Sequence, residues 1–297
     1  MINVNKVSKS FDGFVALDGL DLHVPRGAVY GLVGPNGAGK STIIRHLAGV
    51  YRQDKGEVKI DGQDVFENPE LKGRIAYIPD DLYFFPQAST RDMMRYYSGI
   101  FPRFDKSRYE RMRELFSLDE KRPMRRLSKG MQKQAAFWLA ISTRPDILIL
   151  DEPVDGLDPV MRRQVWSLVM GDVADEGTTV LVSSHNLREL EEICDHVGIM
   201  NGGRLLLERS LSELQDNVVK VQVALADGEE LPDGLNIMHS TSTGRLQTLI
   251  IRGSLEETSN RLASINPLFY DMLPLTLEEI FIYELGGEDY AVKDILL

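Results

Sequence analysis

The order of apolar and polar positions divides the chain into stretches of different character. Residues 1–30 alternate in short runs broken at Asp12-Gly13 and Pro25-Arg26-Gly27, which predicts an antiparallel β layer. Val29 to Val33 is an unbroken apolar run, a buried strand, and a helical pattern follows from Thr42 to Ala48. Gly56 to Val65 reads as another hairpin, and Ile75-Ala76-Tyr77-Ile78-Pro79 as a short buried strand ended by proline. From Leu82 to about Ala140 the strand signals give way to helical ones. Ser89 to Asp92 resembles a capping box ahead of Met93, Met94, Tyr96 and Tyr97, so this stretch is expected to be a helical subdomain inserted into an α/β core. Ile147 to Leu150 and Thr179 to Ser183 are apolar on both faces, the mark of parallel strands covered on both sides, and Val160 to Val169 between them is helical. A helix from Leu187 to Cys194 and a hairpin from Val197 to Leu207, turning at Asn201-Gly202-Gly203, close the core.

Beyond about Ser212 the composition changes. Strand-like stretches at Lys220–Ala226 and Leu246–Arg252 are separated by loops rich in Pro, Asp, Gly, Ser and Thr, and helical patterns follow near Ser254–Ser264 and Leu275–Leu285. The domains expected are residues 1–211, with the helical insert at about 82–140, and a small α/β attachment at 212–297 for interaction or regulation. A length of 297 residues suits roughly two domains. The net charge of −11 argues against nucleic acid as the main partner, because phosphate binding calls for a basic face. A single cysteine, Cys194, excludes an internal disulfide and fits a reducing compartment. Met1-Ile2-Asn3-Val4 runs straight into the strand pattern without the layout of a signal peptide, and no apolar run reaches the roughly 18 residues of a membrane span. A membrane role must therefore come through another chain.

The chemistry gathers at four places. Gly34-Pro35-Asn36-Gly37-Ala38-Gly39-Lys40-Ser41-Thr42 fits the G-x-x-x-x-G-K-[ST] pattern and sits between a strand and a helix, as a phosphate cradle requires. Glycines let successive N–H groups face phosphate oxygens, Lys40 reaches the β- and γ-phosphates, and the Ser41 hydroxyl suits Mg²⁺. Ile147 to Leu150 ends in Asp151 and Glu152, two carboxylates at the strand end where open α/β sheets bind ligands. Asp151 can hold Mg²⁺, and Glu152 can take a proton from an attacking water. His185 ends the next strand in the same way and is expected to contact a terminal phosphate. Leu127-Ser128-Lys129-Gly130-Met131 opens a helix, and taken alone it is an N-cap. Phe11, before the Asp12-Gly13 turn, can stack on an adenine or belong to the core. Tyr83, Phe84, Phe85, Tyr96, Tyr97, Phe101 and Phe104 in the insert suit either its own small core or a groove for a partner's helix.

In this order the segments resemble the ATP-binding subunits of ABC transporters over residues 1 to about 210. The resemblance implies a P-loop NTPase core with an antiparallel β subdomain and an inserted helical subdomain, plus a small C-terminal α/β domain, and it implies ATP and Mg²⁺ as cofactors. By resemblance Phe11 is the adenine-stacking aromatic, and Gly34 to Thr42 is the Walker A loop. Leu127 to Met131 is the signature motif, and Ile147 to Glu152 is the Walker B strand with its catalytic glutamate. Asp155 to Asp158 is the D-loop, and His185 is the switch histidine. The family architecture further implies a head-to-tail homodimer or heterodimer in which Ser128 and Gly130 face ATP held by the other subunit. It also implies transmembrane permease subunits docked on the insert, and a place on the cytoplasmic face of the membrane. Leu277-Glu278-Glu279-Ile280-Phe281 is similar to the ending of ABC-2 type exporter ATPases.

Three positions depart from the pattern. Asp80 stands where a glutamine is usual; it can still offer an oxygen to Mg²⁺ or water, but its charge lies near Asp151 and Glu152, so altered metal dependence or slower turnover is expected. Lys129 and Met131 replace a glycine and a glutamine of the signature motif. Two competing functions are an ABC ATPase acting on ribosomes or DNA and a P-loop kinase. The first usually has tandem ATPase domains or a long coiled-coil insertion, and Glu152-Pro153 with the signature segment favours hydrolysis over the second.

Overall fold

The computed structural model describes residues 1–216, 218–226, 229, 231–273 and 275–279. Contacts divide them into two units, one of Met1–Asn186 with Ile193–Glu208, the other of Leu187–Glu192 with the described residues from Arg209 onward.

In the first unit β1 (Ile2–Phe11) pairs antiparallel with β2 (Phe14–Val24), whose apolar positions alternate as the sequence predicts. The strand β3 (Val29–Val33) leads through a glycine-rich loop into α1 (Lys40–Leu47). Then come β4 (Lys55–Ile60), β5 (Gln63–Asp64), α2 (Pro69–Lys72) and β6 (Ile75–Ile78). The named elements of the next stretch are all helical: α3 (Thr90–Ile100), α4 (Lys106–Arg111), α5 (Arg113–Phe116) and, after one 3-10 turn, α6 (Lys129–Ser142). The order closes with β7 (Ile147–Asp151), α7 (Pro159–Glu176), β8 (Thr179–Ser184), β9 (His196–Asn201) and β10 (Arg204–Ser210).

These strands form two sheets, β2-β1-β4-β5 and β10-β9-β3-β8-β7-β6. In the second, β9, β3, β8, β7 and β6 run parallel, so β3, β7 and β8 end on the same edge. All residues of β3, β7 and β8 are buried, which explains their unbroken apolar runs. A core of buried side chains joins the sheets, with Val4, Leu20 and Val58 from one and Tyr30, Leu32 and Ile149 from the other, and Ile43, Ile44 and Leu47 from α1.

The seven aromatics of the insert divide between surface and partial burial. Tyr83, Phe85 and Tyr96 are exposed, and Phe84, Tyr97, Phe101 and Phe104 are half-buried. The buried aromatic centre is instead Tyr109, Phe116 and Trp138. Trp138 stacks on Tyr109 with centroids 4.3 Å apart and donates from Nε1 to the Tyr109 carbonyl at 2.8 Å. Trp138 lies on α6, so one stack ties this helix to α4 and α5, and the polar end of the indole is satisfied within it. The capping box at Ser89 and Asp92 forms as expected, each accepting from the other's backbone N–H.

The second unit contains α8 (Leu187–Glu191), α9 (Leu211–Asp216), β11 (Val218–Ala224), β12 (Ile237–Thr243), β13 (Leu246–Arg252), α10 (Leu255–Ala263) and β14 (Phe269–Leu273). Its strands form an antiparallel sheet in the order β12-β13-β11-β14, with Val221, Val223, Leu249 and Leu262 in its core. The sequence pattern placed the helix from Leu187 with the core, whereas its contacts group it with residues from 209 onward: Arg188 pairs with Glu278 at 3.3 Å. Of the helical pattern Leu275–Leu285 and the Leu277–Phe281 ending, residues 280 and beyond lie outside the described residues. No helix among the described residues is long and apolar enough to cross a membrane.

Candidate nucleotide-binding and catalytic site

The loop between β3 and α1 is shaped by close approach. A Cβ on Gly34 would stand 2.2 Å from the Met200 carbonyl oxygen. One on Gly39, where φ is +103°, would stand 2.7 Å from the Ala16 carbonyl oxygen. The loop is therefore clamped between β2 and β9, and only glycine fits either position. Gly39 is the N-cap of α1 and supplies no side chain to the helix start. The first N–H groups of a helix have no acceptor within it, and with the helix dipole they make the end of α1 attractive to an anion.

This end opens onto a cavity of about 250 Å³ lined by Phe14, Ala16, residues 35–42, Asp80 and Glu152. The structure thus brings Asn36, Gly37, Ala38, Gly39, Lys40, Ser41 and Thr42 to one wall and Asp80 and Glu152 to another. Lys40 folds back over the loop, donating from Nζ to the Gly34 carbonyl at 2.5 Å and the Pro35 carbonyl at 3.3 Å, with Glu152 at 3.9 Å. Burial lowers its pKa, opposed by the carboxylates of Glu152 and Asp151.

Across the parallel edge, the Ser41 hydroxyl donates to Asp151 Oδ1 at 3.2 Å, and the Ser183 hydroxyl donates to the same oxygen at 2.6 Å. Asp151 is buried, its Oδ1 takes both hydroxyls, and no salt bridge to it is formed among the described residues, so a carboxylate beside the Ser41 hydroxyl makes a donor set that fits Mg²⁺. Glu152 follows at a left-handed φ of +45° and sits 3.0 Å from His185 Nδ1 through Oε2. That contact places the imidazole proton on Nδ1 when the carboxylate is ionised. Burial holds the Glu152 carboxyl above the usual carboxylate range, with His185 and Lys40 opposing the shift. Asp155 is close enough that its carboxylate, that of Glu152 and the His185 ring have ligand atoms within 4.8 Å of one another.

Four sequence candidates lie elsewhere. Ser128 caps α6, accepting from the Met131 N–H at 3.2 Å, and Asp158 caps α7, accepting from Val160 and Met161 at 3.0 Å. Gly130 is fixed by packing, since a Cβ there would meet the Gly156 carbonyl oxygen at 2.4 Å. Phe11 is not part of the cavity wall: its ring packs on Tyr51 with centroids 5.3 Å apart and has the Lys9 ammonium 5.5 Å above it. Its cross-strand partner Phe14, exposed and not singled out by spacing, takes the wall position. If Phe14 carries the adenine, Phe14→Ala is expected to weaken ATP binding by about 1–3 kcal/mol, roughly 5- to 150-fold in Kd. Titration with a fluorescent ATP analogue measures it; an unchanged Phe14→Ala beside a weakened Phe11→Ala would return the role to Phe11.

Residues 17–155 match the family profile of the ABC transporter. The chain is 31% identical to the ABC transporter ATP-binding protein YtrB of Bacillus subtilis over 97% of its own length and 99% of the relative's. It is 30% identical to the Nod factor export ATP-binding protein I of Cupriavidus metallidurans, covering 97% of this chain and 98% of that one. Among solved structures, an ATP-binding subunit of an ABC transporter superposes with a TM-score of 0.67 at 27% identity, covering 72% of this chain and 92% of that chain. The chain belongs to the ATP-binding proteins of the ABC transporters, and it is an ABC ATPase with the P-loop fold of that family.

Proposed function

We propose that this chain works as one of two paired cassettes that hydrolyse ATP and drive partner transmembrane subunits, in an exporter. The observation that carries the reading is the single cavity in which the α1 N-terminus, Lys40, Glu152 and Asp80 converge, with His185 set against Glu152.

The loop N–H groups and Lys40 bind and orient the triphosphate. Ser41 and Asp151, with Asp80 at the cavity wall, would hold Mg²⁺, which when bound offsets the charge on the phosphate oxygens. Glu152 accepts the proton of the attacking water as its oxygen bonds to the γ-phosphorus and the bond to ADP breaks, leaving ADP and phosphate. The raised pKa of Glu152 makes it a stronger base once ionised. His185 orients that carboxylate and stands toward the terminal phosphate.

Ser128 and Gly130 lie outside this chain's own cavity, which supports a second subunit's ATP as their ligand. The exposed Tyr83, Phe85, Tyr96 and Ile100 of the insert support it as the face for a membrane partner. Export draws support from the relative named for Nod factor export, which matches along nearly the full chain. The division taken is an ATPase domain at 1–211 and an interaction or regulatory domain at 212–297, on the cytoplasmic face of the membrane.

The test is mass spectrometry of what co-purifies with a tagged Glu152→Gln chain from gently solubilised membranes in ATP. A polytopic membrane protein, with or without a second ATPase, is expected. Recovery of ribosomes or DNA-bound proteins in its place would overturn the transport reading.

A further inference from the structure

Lys133, on the second turn of α6, is a buried lysine outside every motif the sequence marks. Its Nζ donates to the main-chain carbonyl of Glu152 at 2.5 Å and faces Asp80 Oδ1 at 3.4 Å. A buried ammonium is costly unless it is paired, so the site is built around these two acceptors. They belong to neighbouring strand ends, Asp80 after β6 and Glu152 after β7.

Glu152 needs such a partner. A left-handed conformation in a residue other than glycine costs on the order of 1–3 kcal/mol and persists only where its surroundings fix it. Here the Glu152 N–H donates to the Ser183 carbonyl and hydroxyl, both at 3.2 Å, while its carbonyl accepts from Lys133. The two peptides flanking this residue are thus held from β8 on one side and from α6 on the other, and the carboxylate between them is aimed at Lys40 and His185. Asp80 is mostly exposed, so its ion pair adds little stability. Its effect is local: a carboxylate on the wall of a phosphate site is partly neutralised.

We propose that Lys133 is a positioning residue for hydrolysis, pinning the backbone of Glu152 and screening the charge of Asp80. This rests on Glu152 being the base. The two roles separate in measurement, because one acts on turnover and the other on binding.

Steady-state ATPase rates of the full chain in MgCl₂, with the Kd of a fluorescent ATP analogue measured in parallel, provide the test. Lys133→Met is expected to lower kcat by about 10- to 100-fold, the scale of a displaced catalytic group, and to raise the Kd several-fold. Adding Asp80→Asn removes the unpaired carboxylate, and with the Kd read in EDTA, where the place of Asp80 at the Mg²⁺ site does not enter, it should restore the Kd. In a Glu152→Gln background Lys133→Met should lower kcat no further, since it acts through that carboxylate. Native kcat in Lys133→Met would overturn the proposal, and so would an additive loss in the Glu152→Gln background or a Kd that Asp80→Asn leaves unrestored. A fully active Glu152→Gln chain would instead remove the base assignment and leave the role of Lys133 to be judged from its own kcat.

Discussion

Glu152→Gln is expected to bind ATP about as tightly as the native chain while its kcat falls by roughly 10²- to 10⁴-fold, the share of a barrier that a positioned base supplies. Glutamine keeps the shape of the side chain and can still hydrogen-bond to His185, now 3.0 Å from Oε2, but it cannot accept the proton of water. The ammonium of Lys40, 3.9 Å away, loses a counter-charge and becomes more available to phosphate. In a paired cassette the variant should therefore accumulate as an ATP-bound dimer, measured by size exclusion with light scattering.

The pH dependence follows from the same carboxyl. Its pKa is raised by burial, so the acid limb of kcat/KM should lie above the usual glutamate value of about 4.3. Activity is lost as pH falls through that raised value, because only the carboxylate can act as base. The stability sign is the opposite: a carboxyl whose folded pKa is raised stabilises the fold when protonated, and that contribution is lost as pH rises through the folded pKa. At neutral pH the ionised group is a cost, so Glu152→Gln should melt no lower than the native chain. A monomeric variant with native turnover would remove Glu152 from the role of base.

The parts of this site that were legible in the sequence are those that local spacing dictates. The glycine-rich loop announces itself because close backbone approach tolerates no side chain at Gly34 or Gly39, and nothing but sequence order is needed to see it. The strand Ile147–Asp151 is equally plain, since a strand buried on both faces has no polar alternation and its terminal carboxylates stand out. The capping residues Ser89 and Ser128 act within three positions of themselves, so short-range pattern finds them.

What spacing hides is whatever depends on a contact distant along the chain. Lys133 is one more lysine on a helix until α6 lies against β6 and its ammonium meets residues 53 and 19 positions away. The insert's aromatic centre is hidden in a related way: spacing leaves seven clustered aromatics open between a core and a partner's groove, while the buried stack draws on Tyr109, Phe116 and Trp138, which are spread along three helices. Phe11 and Phe14 differ by three positions across a tight turn, and only the folded chain shows that Phe14 lines the cavity while Phe11 packs on Tyr51, forty positions away.

Lys40→Ala separates binding from chemistry in the other direction. Lys40 is nearly buried, and its ammonium spans the loop carbonyls of Gly34 and Pro35 while facing two acidic residues. Burial already disfavours its charge, so a polyphosphate at the α1 N-terminus supplies the counter-charge the site is short of. Removing one partner of such a buried, hydrogen-bonded charge pair costs about 2–5 kcal/mol. That is a rise in the Kd for ATP of roughly 30- to 5000-fold, measurable by titration calorimetry. Lys40→Arg should recover only part of it, because a planar guanidinium cannot reproduce the compact turn back to Gly34 and Pro35. Glu152→Gln leaves affinity and removes turnover, whereas Lys40→Ala loses affinity first. A Lys40→Ala chain that binds ATP with native Kd would show that the loop N–H groups hold the phosphates alone, and would leave Lys40 as a tether for the loop.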